Sequence, residues 1–350
     1  MGHPAIENKT PFVFEPLFLA DEEGRPLFVP IVKATYSFSP KENGIPLLVE
    51  KQVSVNVGGE YWRDPEKSSY KYEPETAFIK PSTDVVLIGH AYAPKPGTTE
   101  VKVVLRVGPI EKVVQVIGDR YWVKRFGITS KTKPEPFERI PLIYERAFGN
   151  WDRSLPNPEK HRFEPRNPVG TGFRDKRGKF EEGIRLPNLE DPRRPLKGYR
   201  DRPVPVGFGF TSPNWQPRAA LAGTYDEAWM RQRMPLLPID FDRKFFNAAP
   251  LDQIATGFLK GDEPVVIFNA SPSGRISFNL PGVPPPQCRV VLQGRCDQCL
   301  QTQLDTVIIN TDENLLFLIW RTNLVLRNGP HNVVSIAVRT DSMPVPMRHT

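Results

Sequence analysis

Proline constrains this chain more than any other residue. There are 39 in 350 residues, about twice the ordinary usage of ~5%. Proline has no N–H and a fixed φ, so helix interiors and central strands exclude it. Between Thr132 and Arg218 prolines recur every few residues, with phenylalanine, tyrosine and tryptophan set among them. Flexible linkers lack such aromatics. That region is therefore expected to be ordered, irregular chain packed over something more regular. The chain is 39% hydrophobic and 25% charged, a globular balance.

The flanking regions read as β. Leu27 to Phe38 is rich in branched and aromatic residues, and Pro30 within it predicts an edge or a bulge. Gln52 to Val57 alternates, placing Val53, Val55 and Val57 on one face of a strand. Val85 to Ala91 is nearly continuous in apolar residues, as in a strand covered on both sides. Glu100 to Val107 alternates, and Gly108-Pro109 connects it to Lys112 to Ile117 as a hairpin. Further strands are expected over Glu263 to Asn269, Arg275 to Leu280, Arg289 to Gly294, Leu304 to Asn310, Leu315 to Trp320 and Asn332 to Val338. Two short helices are predicted. One opens at Thr224 with a Thr224…Glu227 capping box and stops before Pro235. The other follows Pro250, with Leu251, Ile254 and Phe258 on one side and Gly261 as its C-cap. The expected fold is mainly β: sandwich-like lobes, long ordered proline-rich loops and a few short helices. The divisions are 1–131, an irregular 132–250 and 251–350, as separate regions or one compact domain.

Chemistry is harder to find. No Gly-x-Ser-x-Gly elbow, P-loop or dinucleotide fingerprint is present. The carboxylates of Asp226, Glu227, Asp240, Asp242, Asp252, Asp262 and Glu263 fall in one window. If they converged, they could serve a hydrolase or carbohydrate-active protein as an acid–base pair, or hold a cation. The plainer expectation is that they cap helices and pair with nearby arginines. Cys296-Asp-Gln-Cys299, with Cys288 and His331, could supply four zinc ligands. Three ordinary thiols are the simpler reading, and no cofactor is expected.

The formal charge of +7 is concentrated. Lys160 to Arg202 holds 13 basic residues against 7 acidic ones, a surplus of six. Such a stretch either pairs with its own acids or steers an acidic partner. No nucleic-acid-binding motif accompanies it, so no nucleic-acid partner is expected. No run of 18 apolar residues predicts a membrane span. The N-terminus shows no secretory signal, and Ile6 stands where N-myristoylation wants Ser or Thr. A cytoplasmic protein without a membrane partner is expected.

Several segments carry a resemblance. They include "IENKTPFVFEPLFLADEEGRPLFVPIVKATYSF" from Ile6, "SSYKYEPETAFIKPSTDVVLIGHAYAP" from Ser68 and "GDRYW" from Gly118. "PFERIPLIYERAFGNWD" from Pro136, "RNPVGTGF" from Arg166 and "LPNLEDP" from Leu186 belong with them, as do "AGTYDEAW" from Ala222 and "LDTVIINTDENLLFLIWR" from Leu304. Together they resemble the bacterial domain-of-unknown-function family 2169. One departure is local: Asn150 follows Gly149 where the pattern has a second glycine. The resemblance implies a non-enzymatic adaptor, or effector chaperone, of type VI secretion. Its implied partners are a toxin effector or PAAR-like tip protein and the valine–glycine-repeat spike protein. It brings no catalytic residue.

A docking protein needs anchors, and interface hot spots favour Trp, Tyr and Arg. Trp151, Trp215 and Trp229 are the candidate aromatic anchors. Arg174, Lys176, Arg177, Arg193 and Arg194 are the candidate steering charges.

Overall fold

A computed structural model describes residues 4–40, 44–175, 180–294 and 296–340. Three sheets dominate. The central one runs in the order Val13–Ala20, Pro26–Ser37, Leu315–Arg321, Gln303–Asn310, Asp84–Ile88. Its neighbours are antiparallel except the last pair, which is parallel. The second sheet is ordered Leu189–Glu190, Ile110–Ile117, Glu100–Val107, Pro264–Phe268, Arg275–Asn279. In the third, Ala5–Asn8 lies parallel to Val333–Arg339, followed by Gln287–Leu292 and Gln298–Gln301. All three sheets thus draw strands from both ends of the chain. Among the described residues the fold is mainly β, with multiple sheets, no barrel, and one short α-helix at Glu227–Gln232.

Alternation decides what each face does. On one face of the central sheet, Val32, Leu87, Val307, Leu318 and Trp320 join Val103, Leu105 and Ile267 of the second sheet. Val290, Ile336 and Val338 of the third complete a single apolar cluster. On the other face, Leu27, Val29, Ile31, Val86, Ile308 and Ile319 meet irregular chain bearing Val55, Phe78, Phe210, Ala248 and Ala249. This irregular cover comes from several parts of the chain, while Ile140, Leu142, Tyr144 and Trp215 of the proline-rich stretch join the first cluster.

Pro30 lies neither at an edge nor in a bulge. Its strand has neighbours on both sides, and Pro30 stands opposite Pro16. Thr35 bonds toward the Leu47–Leu48 side and Phe38 toward Asn314, so even-numbered residues of this strand face the Leu315–Arg321 side. The donor that Pro30 lacks falls in the gap between Arg321 and Leu324, and that of Pro16 falls on the outer edge of the sheet. Neither proline removes a bond from the ladder between them.

Three other expectations give way. Gln52 to Val57 is not a strand. The Gln52 side chain takes both the N–H and the C=O of Thr35, at 2.8 and 3.0 Å, and so replaces the ladder there. Val55 alone of the three valines is buried. The helix cap is Asp226, which accepts the Trp229 N–H at 2.8 Å, while Thr224 bonds to Asp240. The second helix is only a 3-10 turn, Leu251–Gln253. Gln253 is buried there and donates to the carbonyls of Val85 and Phe208 at 2.7 and 2.9 Å, drawing the chain onto the sheet.

Candidate interaction surface

A side lobe carries the charge surplus. Trp122, Leu186 and Leu196 form its small core, with Phe180, Ile184 and Tyr199 packed around them. A short hairpin whose second arm lies in the basic stretch pairs Trp151 with Phe163 and Asp152 with Arg162. The entry residue Asn150 has φ +117. This lies beyond the left-handed range where asparagine is at home, in backbone that glycine adopts without cost, so Asn150 carries strain there while the hairpin still forms.

The two residues of each hairpin arm point opposite ways. Asp152 turns inward and accepts the N–H groups of Ser154 and Asp175 at 3.0 and 2.6 Å. Burial alone would raise its pKa, but these bonds outweigh burial and hold it below the usual carboxylate value. Trp151 turns outward and stacks on Phe163, with centroids 4.3 Å apart and planes at 18°. The two residues are 38% and 41% exposed. The Arg153 guanidinium lies 5.6 Å above the indole, and Leu155 is exposed beside them in sequence. Large apolar side chains fixed in solvent, with a cation on the ring, form a surface suited to docking.

The basic residues divide into two sets. Arg166 is locked by buried Glu164 through two bonds of 2.6 and 2.7 Å. Arg174 meets Glu181 at 3.3 Å, and Arg185 bonds Asp119. These neutralise one another within the lobe. Lys160, Arg162, Arg193, Arg194, Lys197 and Arg200 are exposed. Arg193 and Arg194 are held out by a turn on Asp191, which accepts both backbone N–H groups. Lys176 and Arg177 lie outside the described residues.

The other candidate anchors are elsewhere. Trp215 is no surface anchor: it is 3% exposed, in the main core, with its ring edge-on to Tyr144 at 5.2 Å. Trp229 is half-buried, donates Nε1–H to the Leu236 carbonyl at 2.8 Å, and packs on Tyr225. Phe163, which completes the exposed stack, carries no mark in the sequence beyond its aromatic type. Its partner is set by hairpin pairing across eleven intervening residues.

The carboxylates take separate local partners. Asp226 caps the helix and Asp242 caps the 3-10 turn at Arg243–Phe246. Glu227 pairs with Arg231 at 2.9 Å. Asp240 is held below its usual pKa by the Thr224 backbone N–H and hydroxyl. Asp252 meets buried Lys112 at 2.7 Å, Glu263 accepts the N–H groups of Lys260 and Gly261, and Asp262 is exposed. Cys288 is fully buried, which pushes its thiol up to about 12, with Cys299 adding to the rise. Among the described residues, no group of three or more His, Cys, Asp or Glu could hold a metal ion. No helix among them is long and apolar enough to cross a membrane.

The family described as "Uncharacterized protein conserved in bacteria (DUF2169)" matches residues 23–321. That is most of the chain, and the chain belongs to this family. No curated protein and no solved structure matches it.

Proposed function

We propose that this member of the DUF2169 family is a non-enzymatic adaptor that binds a type VI secretion effector, a toxin or PAAR-like tip protein. It stabilises that cargo and promotes its loading onto the spike. The reading takes its partners from the family resemblance. The observation that carries the adaptor role is the Trp151–Phe163 stack, held in solvent by a hairpin rooted on buried Asp152. The exposed bases from Lys160 to Arg200 add long-range attraction for an acidic cargo. Ordered loops lose little entropy on docking, which suits a covering built from proline.

The test is co-expression with the effector gene next to this one, followed by size-exclusion chromatography with light scattering. A stoichiometric complex, with the effector insoluble when this chain is absent, is the expected result. An effector that is soluble alone and never co-elutes would overturn the reading.

A further inference from the structure

A second hairpin leaves the lobe built on Trp122. Trp122–Arg125 pairs with Ile128–Lys131, and Arg125 stands opposite Ile128, so the turn is Phe126-Gly127 alone. Both turn residues have positive φ, +49 and +81. This is the two-residue primed turn, whose first position ordinarily takes Asn, Asp or Gly. Among the described residues, the other non-glycines with positive φ are Asn150, Asn269 and Asn314. A phenylalanine there carries backbone strain.

Packing does not account for it. Phe126 is 104% exposed and Ile128 71%. Lys124 and Arg125 are exposed beside them, and no carboxylate occurs in the sequence between Asp119 and Glu135. The root, by contrast, is fixed. Trp122 is buried, edge-on to Tyr199 at 5.6 Å, and its backbone exchanges bonds with Gly183 and Ile184 at 2.8 and 2.9 Å. Glu182 accepts the Lys124 N–H at 3.0 Å. A strained, wholly exposed aromatic thus sits at the end of a rigid stalk with basic shoulders. Strain of this kind persists where function uses it.

We propose that this hairpin is a docking finger: Phe126 inserts into an apolar pocket of the partner protein, and carboxylates on the pocket rim meet Lys124 and Arg125. Ile128 covers the pocket mouth. The finger is separate from the Trp151–Phe163 stack and rests on the adaptor reading for its partner. The single aromatic and its fixed stalk favour a shaped protein pocket over a lipid surface, which needs no strained residue.

Phe126→Asn separates binding from folding, because asparagine suits the turn. The variant is expected to melt at or above the wild-type temperature. Its affinity for the co-expressed neighbouring effector should fall about tenfold or more, as for a hot-spot aromatic. The charge reversal Lys124→Glu with Arg125→Glu should weaken binding more at low salt than at high salt. A lower melting temperature for Phe126→Asn would make Phe126 structural and overturn the proposal. So would unchanged affinity in a complex the wild type forms. So would flotation of the wild type, but not Phe126→Asn, with vesicles of equal parts phosphatidylcholine and phosphatidylglycerol, which would assign the finger to lipid. Failure of the wild type itself to form a complex is distinct: it removes the adaptor reading and the finger's partner with it.

Discussion

The two faces of the central sheet solve the same covering problem in opposite ways. On one side other sheets supply most of the cover, their backbone groups already paired in ladders, and the contact is mainly apolar. On the other side the cover is irregular chain, whose backbone groups have no ladder to join. Buried, such groups must find partners. The sheet supplies charged side chains for the purpose. Lys33, buried at the sheet surface, meets Glu75 at 2.7 Å and also donates to the Ser54 carbonyl. Glu75 in turn accepts the Asn56 N–H, and Arg321 donates to the Glu75 carbonyl. Asp84 meets Lys80 at 2.7 Å and accepts the Ala248 N–H and the Asn247 side chain, both at 2.8 Å. The difference teaches that the irregular covering of residues 54–80 and 247–248 is pinned by polar groups the sheet presents, whereas regular covering is held mainly by apolar fit.

Removing a pin should have the largest effect. Asp84→Ala leaves Lys80 buried without its carboxylate and frees the Ala248 N–H, and should cost about 3–5 kcal/mol in urea unfolding. A loss below ~1 kcal/mol would break the comparison. On the sandwich face, Leu318→Ala removes fully buried apolar volume and should cost about 2–5 kcal/mol. The comparison sharpens in native-state hydrogen exchange: Asp84→Ala should deprotect residues 204–256 before the sheets, and Leu318→Ala should deprotect the sheets together.

The pH response should differ in sign. Burial pushes Glu73 and Asp305 above their usual values of 4.5 and 3.8, against the pull of Arg218 and Arg321. The folded state therefore holds their protons more tightly than the unfolded state does. That contribution is full below the usual values and is lost as pH rises through the folded ones. Asp152, in the Trp151 hairpin, is lowered instead: its contribution is full above 3.8 and lost as pH falls through its folded value. Unfolding midpoints from about pH 3 to 7 check this. Asp305→Asn should reduce the neutral-side part of the slope, leaving the share of Glu73, and Asp152→Asn should reduce the acid-side part. The smallest stability effect belongs to the exposed stack, where Trp151→Ala should change unfolding by about 0.5 kcal/mol or less.

The same contrast explains what was legible in the sequence. Glu100–Val107 shows its inward residues by alternation because a ladder holds it, and its bounds match the expected strand. Val53, Val55 and Val57 alternate equally well, yet Gln52 claims the backbone at Thr35 and no ladder forms. Lys33 lies within an apolar run, and its partner Glu75 lies in irregular chain that periodicity does not describe, so the buried pair had no mark in the sequence. Tryptophan type alone does not separate anchor from core. Trp215, set among prolines, is buried against Tyr144, while Trp151, also near loops, stands outside. What separates them is the direction set by hairpin pairing at Trp151, which follows from long-range contacts rather than composition.

The most direct test compares the wild type with the double variant Trp151→Ala, Phe163→Ala in co-expression with the neighbouring effector, read by light scattering and by melting temperature. The account predicts an unchanged melting temperature and loss of the complex. A variant that keeps both its fold and its complex would contradict it, because the exposed stack would then play no part in holding the cargo.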